Sequence, residues 1–189
     1  MKILVVGGGT AGWMAAALMA NTLGEKAEIT LIESKQIGII GVGEGSTPKM
    51  RRLFDKLGIP ESTWMPKCNA TYKCGIRFPD WSTRKGFKSY YHPFFSSSDD
   101  SSVRAFYQNA TIRSKSFDVH AHPDSFFVSN FLAKNMRAPL PEQSSNYETD
   151  YAYHFDAVGI GQVLKEYSTK LGVTHIEDTV QEVIQAEDG

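Results

Sequence analysis

A glycine-rich segment that directly follows a short apolar run limits the folds open to this chain more than any other feature. Residues 2–6 (KILVV) form the run, and Gly7 to Gly12 (GGGTAG) fits the pattern G-x-G-x-x-G. Ala11 to about Leu23 is rich in Ala, Met and Leu, which favours a helix, and Glu28 to Glu33 (EITLIE) favours a second strand. These segments predict a βαβ unit whose two strands are adjacent and parallel, joined by a right-handed crossover.

The spacing of the glycines indicates a binding site for a dinucleotide. Gly7 permits the tight turn out of the strand, Gly9 lets backbone approach a pyrophosphate, and Gly12 lets the helix pack closely on the strand. Glu33 lies 21 positions after Gly12, where a carboxylate accepts hydrogen bonds from ribose hydroxyls and repels a 2′-phosphate. A plain glycine turn with an ordinary surface glutamate is the alternative. It is disfavoured because strand, helix and acidic residue all stand where the site needs them.

The rest of the chain is expected to complete an α/β domain. Helices are expected at Pro48–Leu57 and Phe155–Leu171, a short helical turn at Glu61–Met65, and strands at Thr71–Phe78, Val173–Ile176 and Thr179–Ile184. We expect strand 173–176 to join the sheet on the other side of strand 2–6.

An irregular insertion is expected to interrupt this domain. Ser82 to about Ser145 is rich in Ser, Phe, Tyr and His and contains four prolines, with short helices expected at Arg104–Lys115 and Phe126–Met136. We therefore divide the chain into residues 1–81 as a dinucleotide-binding βαβ core that includes the strand of Lys73, 82–150 as the insertion, and 151–189 as the return to the core; the fingerprint alone does not distinguish FAD from NAD.

Composition excludes several classes of function. The formal net charge of −1 gives no electrostatic basis for nucleic-acid binding, and no apolar run reaches the roughly 18 residues that a membrane span needs. Cys68 and Cys74 are expected to be reduced thiols of a cytoplasmic protein, with a disulfide or a metal pair as alternatives. No zinc spacing occurs, so no metal is expected. The five histidines show no ligand or triad spacing and are expected at the surface or in loops.

Four segments resemble the flavin-dependent tryptophan halogenases in their order and spacing. They read GGGTAGWMAA (Gly7–Ala16), GVGEGSTP (Gly41–Pro48), WMPKCNATYKCGIRFPDW (Trp64–Trp81) and YHFDA (Tyr153–Ala157). The pair Trp13-Met14 after the third fingerprint glycine is uncommon in other Rossmann proteins. The resemblance extends over nearly the whole chain and is weakest in residues 82–145.

The resemblance implies a fold, a cofactor and a reaction. The fold is a Rossmann-like FAD-binding domain of the two-dinucleotide-binding, monooxygenase-like flavoprotein type, here incomplete. Reduced FAD, supplied by a separate flavin reductase, reacts with oxygen and a halide ion to give hypohalous acid. A lysine then directs the halogen to a small aromatic substrate such as tryptophan or another indole. That lysine matches Lys73, and residues 41–48 match a strap beside the flavin.

Lys73 suits this chemistry because free hypohalous acid is unselective. An ammonium group polarises the acid by hydrogen bonding, or a neutral amine forms a haloamine, and burial favours the neutral form of a lysine. Without the resemblance, a surface lysine is the default expectation. The apolar setting among Tyr72, Cys74 and Ile76, together with the matched motif, favours the catalytic role.

The expected cofactor site combines the fingerprint with the strap. Glu44 is expected either beside the flavin or as a cap of the turn before the Pro48 helix, and both interpretations stay open. The residues expected to bind the cofactor are Gly7, Gly9, Thr10, Ala11, Gly12, Glu33, Gly43, Glu44, Ser46, Thr47 and Val180.

The sequence departs from the family in extent. Family chains are more than twice as long, and the Gly-Trp-x-Trp-x-Ile-Pro motif and the glutamate that works beside the lysine are missing here. A truncated gene product, a split enzyme whose C-terminal half is a second chain, and an excerpt all stay open. The bare chain is expected to be inactive. A flavin-dependent aromatic monooxygenase and a non-catalytic FAD-binding remnant are the alternative functions.

Overall fold

Helices and strands follow one another along the chain in the order of an α/β protein. The computed structural model describes residues 1–38, 41, 43–140 and 146–185. The strands are β1 (Lys2–Val6), β2 (Glu28–Glu33), β3 (Gly43–Gly45), β4 (Thr71–Lys73), β5 (Gly75–Phe78), β6 (Tyr90–Pro93), β7 (Ala152–Asp156) and β8 (Thr174–Glu177). The α-helices are α1 (Thr10–Leu23), α2 (Lys49–Leu57), α3 (Glu61–Trp64), α4 (Asp100–Ser114), α5 (Val128–Lys134) and α6 (Ala157–Lys170).

β1, α1 and β2 form the N-terminal βαβ unit. β1 and β2 pair in parallel, with Leu4 opposite Thr30 and Val6 opposite Ile32. α1 packs on β2 and buries Trp13 together with three alanines, Ala16, Ala17 and Ala20. The small alanine side chains let α1 approach the sheet closely. The prediction of adjacent, parallel first strands is confirmed.

The chain divides into two compact units. The first contains Met1–Gly45, Arg52–Thr71 and His154–Gly189, and the second contains Ser46–Arg51 and Tyr72–Tyr153. The division expected from the sequence placed its first boundary after residue 81, whereas the second unit includes Ser46–Arg51 and the residues from Tyr72 onward. Lys73 therefore belongs to the same unit as the insertion.

The position of β8 differs from the prediction. β8 pairs in parallel with β2, with Leu31 opposite His175 and Ile32 opposite Ile176, and the strand order is β1-β2-β8. The expectation that this strand lies on the other side of β1 is wrong. α6 packs against α1, and a tight turn at Gly172, whose φ is +90°, leads directly from α6 into the strand. The packing of α6 against α1 therefore places β8 beside β2, at the edge that β1 does not occupy.

The strand expected over residues 71–78 is two strands. β4 and β5 belong to different sheets, and β5 pairs antiparallel with β6, with Gly75 opposite Pro93. A Cβ at Gly75 would lie 2.2 Å from the carbonyl O of His92, so the close approach of β6 requires glycine there. The prediction of one continuous strand is wrong, and β6 lies within the stretch expected to be irregular.

The helix expected to begin at Phe155 begins later. β7 continues to Asp156 and pairs antiparallel with β3, with Glu44 opposite Phe155. Asp156 is then the N-cap of α6, and its Oδ1 accepts a hydrogen bond of 2.8 Å from the N–H of Gly159. The expected placement of Asp156 at the positive end of this helix agrees with the cap.

The strand expected over residues 179–184 is absent from the described residues. Residues 178–185 have no regular structure, and the side chains of Val183 and Ile184 are exposed. A short segment of mixed polarity such as TVQEVI becomes a strand only where a neighbouring strand pairs with it. The interpretation of residues 179–184 as a strand is therefore wrong for this structure.

Candidate functional site

The fingerprint residues form a tight turn between β1 and α1. Gly7 has a φ of +107°, a conformation that favours glycine, and its N–H donates to the carbonyl O of Ile32 over 2.9 Å. A Cβ at Gly12 would lie 1.9 Å from the carbonyl O of Gly7. Gly7 and Gly12 are thus required by the fold itself, before any ligand is considered.

The N-terminus of α1 has the properties of an anion-binding site. Gly9 is the N-cap, no side chain caps the helix, and the first turn holds no acidic residue. No atom lies within 4 Å of a Cβ built at Gly9, so the space beside it is open. Oγ1 of Thr10 is buried and has no hydrogen-bond partner among the described residues. Free N–H groups and the helix dipole favour a phosphate at this end.

A cavity of about 390 Å³ opens beside this turn. Its lining includes Gly7, Gly9, Glu33 and Val180, four of the residues expected to bind a cofactor. Lys35, Ile37, Lys165, Glu177 and Asp178 also line it and were not expected from the sequence. The cavity therefore joins the fingerprint turn to the carboxyl ends of β2 and β8, which is where ligands bind in open parallel sheets.

Glu33 lies at the end of β2 on the wall of this cavity. Its Oε1 is 2.8 Å from Nε2 of His175 and 3.4 Å from Nζ of Lys165. Its Oε2 faces Gly8, where an added Cβ would lie only 1.5 Å from that oxygen. The carboxylate is therefore held close to the fingerprint backbone. His175 is mostly buried rather than at the surface, so the expectation for that histidine is wrong.

A second carboxylate lies beside Glu33. Glu177 pairs with Lys35, and its Oε1 is 3.9 Å from Nζ of Lys165. The hydrogen bond from Lys35 is the main cause that lowers the pKa of Glu177. Lys165 is thus shared between two carboxylates, while Lys35 is engaged by one of them.

Gly43 and Glu44 lie in β3 and stay in the same compact unit as the fingerprint. A Cβ at Gly41 would lie 2.8 Å from Oε1 of Glu44 and 3.0 Å from Cβ of Ala157. Glu44 therefore folds over Gly41 at the start of α6. Its role beside a flavin stays a prediction, and Val42 lies outside the described residues.

Ser46 and Thr47 belong to the second unit and make contacts within the protein. The N–H of Ser46 donates to the carbonyl O of Tyr153 over 2.9 Å, and Oγ of Ser46 accepts from the N–H of Tyr153 over 3.1 Å. The carbonyl O of Thr47 accepts from the N–H of Met50 over 3.0 Å. These bonds fix the backbone of the expected strap.

Lys73 is half-buried and directed at that backbone. Its Nζ donates to the carbonyl O of Ser46 over 3.0 Å and lies 5.7 Å from the ring centroid of Phe94. The aromatic face and the carbonyl together hold a cationic amine in one position. The direction toward residue 46 is the one expected for a lysine facing the strap. The catalytic role of Lys73 stays a prediction.

Residues 1–38, 41, 43–140 and 146–185 contain no cluster of three or more His, Cys, Asp or Glu side chains that could hold a metal ion. None of their helices is long and apolar enough to cross a membrane. Cys68 and Cys74 are free, buried thiols.

The fold and the cavity define a dinucleotide-binding α/β protein, and comparison with known proteins gives its family. The tryptophan halogenase family model matches residues 2–189. The chain belongs to the tryptophan halogenase family, as the sequence motifs predicted.

The relatives are tryptophan halogenases of greater length. Tryptophan 7-halogenase RebH of Lentzea aerocolonigenes is 36% identical over 197 residues, which cover 96% of this chain and 37% of RebH. Tryptophan 6-halogenase SttH of Streptomyces toxytricini is 33% identical over 212 residues, covering 96% of this chain and 38% of SttH. The chain thus spans less than two fifths of these relatives.

Solved structures of the family share the fold. The crystal structure of SttH superposes with a TM-score of 0.79 at 35% identity, covering 99% of this chain and 39% of that one. Xcc4156, a flavin-dependent halogenase from Xanthomonas campestris, gives a TM-score of 0.78 at 34% identity, covering 98% and 36%. The prediction of an incomplete, Rossmann-like FAD-binding domain is confirmed.

Proposed function

We propose that the cavity beside the fingerprint turn binds the adenosine diphosphate half of FAD. The observation that carries the proposal is the open space at Gly9, which lies between the N-terminus of α1 and the carboxylate of Glu33. The free N–H groups of α1 would hold the pyrophosphate, and Glu33 would accept hydrogen bonds from the ribose hydroxyls. Thr10 and Ala11 begin α1 beside the pyrophosphate position, and Val180 lines the same cavity.

The parent protein is proposed to be a flavin-dependent halogenase. Reduced FAD, when bound, supplies the chemistry that converts oxygen and a halide ion into hypohalous acid. Lys73 then positions the oxidant through its amine, which the carbonyl of Ser46 and the ring of Phe94 hold in place. An ammonium group would donate a hydrogen bond to the acid, whereas a neutral amine would take up the halogen as a haloamine.

The partners of the reaction follow from the relatives. RebH and SttH carry the name tryptophan halogenase, so we propose a small aromatic substrate of the tryptophan or indole type. A separate flavin reductase that supplies reduced FAD, a C-terminal half that completes the enzyme, and a cytoplasmic location stay predictions. Gly43, Glu44, Ser46 and Thr47 are proposed to lie along the flavin.

Flavin retention tests the cofactor part of the proposal. The purified chain is mixed with FAD and desalted, and the flavin absorbance that stays with the protein is recorded. We expect the chain to retain FAD, and Glu33→Ala to weaken FAD binding about 10- to 100-fold through the lost charge-assisted hydrogen bonds. Lys67→Met, which breaks an exposed ion pair with Glu166, serves as the control. Equal retention by Glu33→Ala and the unaltered chain would refute the ribose role of Glu33.

A further inference from the structure

The two oxygens of the Glu33 carboxylate face different surroundings. Nζ of Lys165 donates a hydrogen bond to Oε1 over 3.4 Å, and Nε2 of His175 lies 2.8 Å from the same oxygen without hydrogen-bond geometry. Oε2 faces Gly8, on the side where the fingerprint backbone lines the cavity. Both oxygens therefore contact the protein, and together these contacts hold the carboxylate at the wall of the cavity.

The two basic side chains come from distant parts of the chain. Lys165 projects from α6 and His175 from β8, and their side chains are only 27% and 14% exposed. Such low exposure makes the contacts less screened by solvent than a surface ion pair. Glu33 itself is 20% exposed, so the carboxylate has little freedom to turn away.

Trp13 packs against both basic residues. Its ring is buried, lies 5.3 Å from the ring of His175 between centroids, and has Nζ of Lys165 at 5.8 Å from its centroid. α1 begins at the fingerprint and also carries Trp13. The helix that would hold the phosphates therefore also contacts the two basic groups around Glu33, and Trp13 makes that contact.

Glu177 pairs with Lys35, the other lysine that lines the cavity. Lys165 and His175 are the basic groups that contact Glu33 among the described residues. Lys165 lies between Glu33 and Glu177 and therefore has attractive partners on two sides. Its position is set by both carboxylates.

We propose that Lys165, which donates to Oε1 of Glu33, and His175, which packs against the same oxygen, are positioning residues that keep the carboxylate at the cavity wall, within reach of the hydroxyls of the adenosine ribose. The proposal rests on the proposed binding of FAD in this cavity. Neither residue needs to touch the ligand, because each acts through the orientation of the carboxylate. A freely rotating glutamate would lose rotamer freedom on binding, whereas a fixed one has already lost it.

Discrimination between two nucleotides separates positioning from general stability. The Kd values of ADP and of 2′,3′-dideoxy-ADP are measured by calorimetry on the full chain, and their ratio reports the ribose contacts. We expect the ratio to be about 10 to 100 in the unaltered chain and close to one in Glu33→Ala. Lys165→Met and His175→Asn should each reduce the ratio several-fold, whereas Lys165→Arg should restore most of it.

The control and the contrary outcomes are distinct. Lys67→Met removes the lysine that pairs with Glu166, the residue next to Lys165, and should leave the ratio unchanged. A variant with merely reduced stability would weaken both nucleotides alike and would also leave it unchanged. If folded Lys165→Met and His175→Asn keep the Kd ratio of the unaltered chain while Glu33→Ala gives a ratio near one, the positioning role alone is overturned. A ratio near one in the unaltered chain would overturn the ribose role of Glu33, and the positioning role with it.

Discussion

Replacing Gly12 with alanine tests how closely α1 packs on the turn that leads into it. The added Cβ would lie 1.9 Å from the carbonyl O of Gly7, whereas real Cβ atoms essentially never come closer than 3.0 Å. The turn or the helix would therefore have to move by about 1 Å. The obstructing atom belongs to backbone, and the N–H of Gly7 is bonded to Ile32, so the turn does not yield as a flexible side chain would.

Two effects of opposite sign set the size of the change. Overpacking costs about 1–3 kcal/mol, and an overlap with backbone corresponds to the upper end of that range. Alanine is more favourable than glycine inside a helix by about 1 kcal/mol, which offsets part of the cost. We therefore expect Gly12→Ala to lower the free energy of unfolding by about 2 kcal/mol.

Gly9→Ala is the matched comparison within the same six residues. The space around its Cβ is empty, and the backbone at Gly9, with φ −68° and ψ 178°, suits alanine. At an N-cap this change should cost less than about 1 kcal/mol, yet its methyl group would occupy the proposed phosphate position and weaken FAD binding. Urea unfolding and FAD titration measure the two properties. A Gly12→Ala chain as stable as the unaltered one would refute the packing argument, and undiminished FAD binding by Gly9→Ala would refute the phosphate position.

Two further predictions concern the second unit and a buried thiol. Arg77→Ala removes a 3.1 Å ion pair from the carboxylate of Asp124, which is 12% exposed, and should cost about 2 kcal/mol in urea unfolding. The exposed pair of Lys88 with Asp80 provides the control, since Lys88→Ala should cost less than about 0.5 kcal/mol; equal costs would contradict the reasoning. Burial raises the pKa of Cys68 from 9.0 to about 11, so the stability that its neutral thiol contributes is complete below about pH 9 and is lost as the pH rises toward 11. Urea unfolding across this range should show a shallower pH dependence in Cys68→Ala, and identical slopes would refute the assignment.

The parts of the fold that the sequence predicted depend on local chemistry. β1, α1 and β2 follow from an apolar run, the glycine spacing and a second apolar run, and each signal lies within the element it specifies. The cavity residues Gly7, Gly9 and Glu33 came from the same local pattern. Asp156 was also expected at a helix start because capping is a short-range interaction.

The parts that the sequence missed depend on contacts between distant segments. The position of β8 is decided by the packing of α6 against α1, which no local motif records. The interruption between β4 and β5 at Cys74 follows from the close approach of β6 at Gly75. The contact of Lys165 and His175 with Glu33 forms only once β2 and β8 have paired in the sheet. A histidine in β8 two residues before Glu177 carries no signal of its own, so only the folded structure reveals these neighbours.

The most direct measurement compares halogenated product with flavin oxidation in the full-length protein and its Lys73 variants. Lys73 is proposed to act on hypohalous acid after oxygen has reacted, so Lys73→Ala should abolish product while FAD binding and the stopped-flow trace of flavin oxidation stay nearly unchanged. Lys73→Arg should fail as well, because arginine stays charged and its planar fork does not replace a point donor. Lys88→Ala, an exposed lysine of the same unit, should retain full activity. Full product formation by Lys73→Ala would contradict the assignment of this lysine and of the halogenation chemistry to it.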